Sequence, residues 1–217
     1  MRMVESSASE PTRRALLQSA SKIFAEQGFQ IARIRDIAEN AGTNLSAINY
    51  HFGSKKGLYY AVLESVAQTT IERFPLLSSD SSHLSPEQRF RFLVRNLLRR
   101  FISPDTPSVL AQLMTRELSH PTQALDDLVN RVSRPQFMTA ASVIREIVSP
   151  DISQEQVQQA VLSVFGQCIV YLFARPLISR LLPQDVYSSE QSIDQIADHI
   201  ATFSLAGLQA MQPLEGS

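Results

Sequence analysis

Cysteine is almost missing from this chain: Cys168 is the only one in 217 residues. A lone thiol builds neither a disulfide framework nor a cysteine-based metal site, so a reducing, cytoplasmic compartment is expected. Histidine pairing is lacking too, since His83, His120 and His199 stand far apart and each reads as structural. Gly53-Ser54-Lys55-Lys56-Gly57 contains glycine and lysine without the spacing of a phosphate-binding loop, and no strand precedes it. Neither an enzyme, a metal nor a cofactor is therefore expected. Long apolar runs are also scarce. The first ten residues hold no signal-type stretch, and Val161 to Ala174, interrupted by Gly166 and Gln167, reads as too short to span a bilayer. No segment alternates with period two and no repeat occurs, so the expected fold class is all-α, with about nine helices.

What is present is 44% hydrophobic residues, enough for a real core, and a net charge of -1 that hides an asymmetry. Pro11 to Tyr60 carries seven basic and three acidic residues, and all three lysines of the chain; Ala61 to Ser217 carries 12 basic and 16 acidic. A small basic module attached to a mildly acidic body is the footprint of a protein in which one part meets a polyanion.

Residues 1–11 are polar and read as a flexible tail. From Thr12, Leu16, Ala20, Ile23, Phe24 and Gln27 form an amphipathic helix that stops before Gly28. The stretch from Ile34 to Lys56 then reads as helix, turn, helix: Ile37, Ala38 and Ala41 at helical spacing, Gly42 at the turn, and Ile48 with Phe52 as an apolar pair. Leu45, Ala47, Asn49 and Tyr50 on the second helix are small, polar or aromatic, suited to close approach in a major groove. An ordinary helical hairpin is the competing reading. A fourth helix runs from Ser54 towards Phe74, and the Ser-rich Pro75 to Ser85 reads as a linker.

Beyond it, Ser85, Pro86 and Gln88 form a capping box ahead of an apolar stripe from Phe90 to Phe101, whose opposite face carries Arg89, Arg91, Arg95 and Arg99. That face is read as solvated and paired with carboxylates. Pro104-Asp105-Thr106-Pro107 precedes a helix from Ser108 to Leu118, and Thr122 to Val148 forms a long segment with a kink expected at Pro135. Ser153 with Gln156, and Ser188 with Gln191, are expected to cap the last two long helices. The first is apolar on most sides, so it is buried either deep in one core or between that core and a partner chain, and the second carries another long apolar stripe. Helices at about 154–182 and 189–211 are therefore the candidate dimer interface.

Arg13 to Val66 resembles the DNA-binding domain of the TetR family of bacterial transcriptional regulators. The likeness rests on Ala20 with Phe24, Gly28-Phe29, Asp36-Ile37-Ala38, Ala41-Gly42, Phe52, Lys55 and Leu58. The wording from Asn44 to Lys55 is similar to the CecR-like branch. The resemblance implies a DNA-binding domain at 12–58, an effector-binding and dimerisation domain at 59–211 and a tail at 212–217. It also implies a homodimer on a near-palindromic double-stranded operator, answering to a small-molecule effector. Three positions depart from the family pattern: Ala32 stands where Thr is usual, Asn49 where Tyr is usual with Tyr50 one place later, and Lys56-Gly57 where acidic residues are usual.

The expected DNA-contacting residues are Arg33, Thr43, Asn44, Leu45, Ala47, Asn49, Tyr50, His51, Lys55 and Lys56. The two lysines oppose the dipole of the helix they open, so a phosphate contact is expected there. Met114, Phe137, Phe165, Cys168 and Tyr171 are the expected effector lining. A helical interaction module without specific DNA binding is the alternative function.

Overall fold

The computed structural model describes residues 5–102, 109–182, 187 and 189–213. Eleven α-helical segments and no strand occur among them. Helix α1 is Glu5–Ile31, α2 Ile34–Asn40, α3 Leu45–Phe52 and α4 Lys55–Arg73. The first begins earlier than Thr12, with Pro11 inside it at the loss of one backbone bond, and Gly28 (φ 79°, ψ 167°) breaks its helical geometry.

These helices share one core. Leu16, Ala20 and Phe24 of α1 meet Ile37 and Ala38 of α2, Ile48 of α3 and Leu58, Tyr59 and Val62 of α4. Phe24 meets the Tyr59 ring edge-on at 4.9 Å. Leu58 and Tyr59 are buried together in this core, so α4 is continuous with the reader as well as with the body.

The Ser-rich connection is more ordered than a linker reading implies. Leu76 is buried and residues Ser79–His83 wind a short 3-10 turn. Helix α5 (Pro86–Phe101) then forms the axis of a second core, its start fixed by the reciprocal Ser85–Gln88 bonds at 3.3 and 2.9 Å. Around it stand α8 (Arg134–Arg145), α9 (Gln154–Phe173) and α11 (Glu190–Gln209), which contribute Val143 and Ile144, Val161 and Cys168, and Ile193, Ile200 and Leu205. Three arginines of the α5 face bind carboxylates: Arg99 reaches Asp194 at 2.8 Å and Glu190 at 3.3 Å, Arg95 reaches Asp198 at 3.4 Å, and Arg89 pairs with Glu146, while Arg91 donates to the Thr202 hydroxyl at 3.1 Å.

Helix α6 (Val109–Ser119) and α7 (Ala124–Leu128) sit between the two cores. From α7 the chain passes through a π-helical turn, Val129–Ser133, into α8, where Pro135 occupies the first turn. The kink expected at Pro135 is thus a π turn just before it, which accommodates the missing N–H. The last helix is capped by Ser189, whose Oγ accepts from the Ser192 N–H at 3.1 Å. The expected cap, Ser188, lies outside the described residues, as do Pro104-Asp105-Thr106-Pro107, Ser108 and 214–217.

Helix α9 corrects one expectation. It runs 20 residues with a mean hydropathy of 1.2, long and apolar enough by length and composition to cross a membrane. Gly166 and Gln167 do not interrupt it. Its Val157, Val161, Val164 and Cys168 stripe packs into the second core, while Leu162 and Val170 stay exposed.

Candidate nucleic-acid interface and ligand cavity

The turn between α2 and α3 is built as the sequence requires. Gly42 takes φ 65°, and the Thr43 N–H returns to the Ala38 carbonyl at 2.9 Å. Asn44 caps α3 by accepting from the Ala47 N–H at 3.1 Å. Helix α2 begins at Arg33 with no side-chain cap; the Ser19 hydroxyl instead ties it to α1 by donating to the Ile37 carbonyl at 2.9 Å. Gly53 (φ 73°) closes α3, and Ser54 caps α4 by accepting from the Gly57 N–H at 3.1 Å. A Cβ on Gly57 would lie 2.0 Å from the Phe52 carbonyl oxygen, so the two helices meet at this glycine.

Around α3 the polar and aromatic side chains face outward. Asn44, Leu45, Asn49 and Tyr50 are exposed, Tyr50 at 80%, while Thr43, Ala47 and His51 are half-buried. The His51 ring lies edge-on to Tyr50 at 4.9 Å. Arg33, at the head of α2, is exposed, and neither it nor Arg35 forms an ion pair with the described residues.

The two lysines also make contacts within the protein. Lys55 donates to the Gln30 carbonyl at 3.2 Å and lies 4.9 Å from the Phe29 ring centroid; its burial lowers its pKa. Lys56 bonds the Gln123 side-chain oxygen and sits 5.5 Å from the Tyr60 ring centroid. Two carbonyl oxygens and two aromatic faces thus lie against the two ammonium groups at the head of α4, each of which keeps further N–H donors for a phosphate.

Helix α6 presents two different faces. On one side, Leu113 enters the reader's core and Glu117, 1% exposed, accepts the Tyr59 hydroxyl at 2.7 Å and the Thr122 N–H at 3.1 Å. That hydrogen bond and burial raise the Tyr59 pKa, burial contributing most. Arg116 donates to the Ala25 and Glu26 carbonyls at 3.0 and 2.6 Å, just ahead of the Gly28 break. On the other side Leu110, Met114 and Leu118 line a cavity of about 410 Å³ that α4, α5, α8 and α9 complete.

Three of the expected lining residues, Met114, Phe137 and Phe165, border that cavity. Cys168 and Tyr171 do not. Cys168 belongs to the core-facing stripe of α9 and is fully buried, and Tyr171 uses its carbonyl to accept the Tyr187 hydroxyl at 2.9 Å. Arg100, which sequence reading passed over, does border it. The signal was available: Arg100 falls in step with Leu93 and Leu97 on the apolar stripe of α5. Glu117 was overlooked in the same way. Among the described residues no group of His, Cys, Asp or Glu side chains gathers as a metal site.

Large apolar side chains stay uncovered on the last three helices. Leu162 and Val170 on α9, Leu177 and Leu181 on α10 (Arg175–Leu181) and Phe203 on α11 are 46–69% exposed. So much apolar surface on adjacent helices is characteristic of an interface.

A helix-turn-helix head with an open polar face, carried on a helical body with an apolar cavity, is the architecture of a DNA-binding transcriptional regulator. Residues 16–62 match the family described as bacterial regulatory proteins, tetR family, and residues 86–208 match the C-terminal domain of the HTH-type transcriptional dual regulator CecR. The chain belongs to the TetR family, in the CecR-like branch. It is 27% identical to the HTH-type transcriptional repressor NicS of Pseudomonas putida over 212 residues, covering 95% of this chain and 96% of that protein. Against the dual regulator CecR of Shigella flexneri it is 31% identical over 134 residues, 58% of this chain and 60% of that one. A bacterial regulatory protein of the tetR family from Rhodococcus RHA1 shares the fold, with a TM-score of 0.68 at 16% identity over 93% of this chain and 98% of that one. TetR-family regulators are typically dimers that bind operators and answer to small molecules.

Proposed function

We propose that the protein is a cytoplasmic, ligand-responsive repressor that binds a near-palindromic operator as a homodimer. Residues 12–58 form the reader and 59–211 the effector and dimerisation body, with α4 running through both. Each reader lays α3 in a major groove. Leu45 and Ala47 meet base edges or thymine methyls, and Asn49, Tyr50, Thr43, Asn44, His51 and Arg33 supply polar and phosphate contacts. The exposed apolar side chains of α9, α10 and α11 close against the same surface of a second copy, which fixes the spacing of the readers.

The observation that carries the ligand response is the double-sided α6. Its Leu110, Met114 and Leu118 line the cavity, while Leu113, Arg116 and Glu117 fasten the reader. A ligand that moves the first face moves the second.

Selection from random duplex DNA, followed by fluorescence anisotropy on the enriched sequence, tests this reading. Two half-sites in inverted repeat are expected, with Tyr50→Ala weakening binding at unchanged fold. Enrichment of no sequence, or of a single half-site by a monomer, would sink it.

A further inference from the structure

We propose that the cavity takes a small apolar monocarboxylic acid whose carboxylate is bound by Arg100; this rests on the ligand-responsive reading above. Arg100 is 6% exposed on a largely hydrophobic wall. Its Nε donates to the Phe74 carbonyl at 2.7 Å and Nη1 to the Gln136 side-chain oxygen at 3.0 Å, but Nη2 is buried without a partner. Arg89, Arg95 and Arg99 of the same helix each face a carboxylate, whereas Arg100 pairs with none among the described residues. Burial lowers its pKa to about 10, so it remains cationic near neutrality.

A buried guanidinium with neutral partners is an incomplete arrangement. Its planar fork is best matched by a carboxylate, and only a counter-ion removes the cost of isolating the charge. Gln136 also borders the cavity, so turning its amide aside frees the Nη1–Nη2 edge for a bidentate contact. The remaining wall selects the body of the ligand. Leu97, Leu110, Met114, Phe137 and Phe165 offer apolar contact, and the other cation, Arg134, is exposed and turned towards Asn130 at 3.5 Å. One buried cation and an apolar chamber fit one charge on a hydrocarbon frame, not a diacid or a phosphate ester. The same guanidinium also holds the Phe74 carbonyl, at the end of α4, so the bound acid touches the helix that leads to the reader.

Isothermal titration calorimetry on the full chain tests the assignment, with decanoate and 4-phenylbutyrate set against their primary amides. The acids should bind about tenfold or more tightly than the amides, the scale of a hydrogen bond to a charged group. Arg100→Met should erase that gap while the amides still bind, and Arg134→Gln should leave it. Gln136→Glu, which keeps Arg100 but supplies an internal carboxylate, should erase it as well and guards against misfolding of the arginine variant. Equal affinities in the unmodified protein would overturn the anion assignment and leave the cavity's role standing. A gap that survives Arg100→Met or Gln136→Glu, or that vanishes with Arg134→Gln, also overturns it. Absence of binding by acids and amides alike would overturn both readings.

Discussion

Replacing Gly57 by alanine should break the reader by adding one methyl group. In an open helix the change is favourable by about 0.5–1 kcal/mol, because alanine loses less backbone freedom than glycine. Here the new Cβ would stand 2.0 Å from the Phe52 carbonyl oxygen, well inside the 3.0 Å that real Cβ atoms essentially never breach, and a tight 3.2 Å from its carbon. The obstruction is backbone, so no rotamer change relieves it. Helices α3 and α4 must separate, and overpacking of that kind costs about 1–3 kcal/mol. The displaced element is the one that enters the groove, so operator affinity should fall as well, about tenfold for each ~1.4 kcal/mol of binding free energy that the displacement removes. Urea denaturation gives the first quantity and fluorescence anisotropy the second. A Gly57→Ala protein as stable as the parent, with the same operator affinity, would refute the close approach.

Phe203→Asp places a charge in the uncovered apolar surface of α11, where Phe203 is 68% exposed, so fold should be retained while the dimer dissociates. Sedimentation velocity reads the change, and an undisturbed dimer would move the interface elsewhere. Cys168 is fully buried and its pKa is pushed up to about 12, so iodoacetamide at pH 8 should label it only in denaturant. Because that pKa lies above the ordinary value of 9.0, the folded form holds its proton longer than the unfolded one. Its stabilising contribution is therefore intact below pH 9 and should decline as pH rises towards 12, visible as a loss in parent protein that Cys168→Ala lacks.

Local rules made much of this fold legible. Capping boxes at Ser85 and Ser153, the turn at Gly42 and the stripe of α5 depend on neighbours in sequence, and each is formed as the spacing requires. Longer-range consequences were not legible. That Gln30 and Gln123 meet Lys55 and Lys56 could not be read from α4 alone, because both arrive from segments that no helical period brings near. The same holds for the five expected lining residues. Apolar residues of α9 all look alike in sequence, and only packing decides that Phe165 turns to the cavity and Cys168 to the core. Arg100, Arg116 and Glu117 were overlooked for a related reason. A charged residue in an apolar stripe reads as an imperfection until its partner is known.

Arg116 is where the coupling between ligand and operator can be separated from both bindings. It lies on α6 two residues beyond Met114, which borders the cavity, and grips the Ala25 and Glu26 carbonyls at 3.0 and 2.6 Å. Both carbonyls end the regular part of α1 ahead of Gly28, where a helix leaves acceptors unsatisfied and its dipole is negative. The grip therefore transmits a shift of α6 directly to the first helix of the reader. Arg116→Ala removes it without touching α3 or Arg100, and water can take over the exposed carbonyl. Operator affinity without ligand should change by less than about fivefold, given the ~1 kcal/mol typical of a cap. Regulatory coupling, commonly ~1–3 kcal/mol, should shrink towards zero, so that ligand no longer lowers operator affinity. Measuring operator affinity with and without saturating ligand, for parent and variant, gives the coupling directly. An undiminished ratio in the variant would mean that the signal bypasses α6 and reaches the reader through α4 and the Phe74 carbonyl that Arg100 holds.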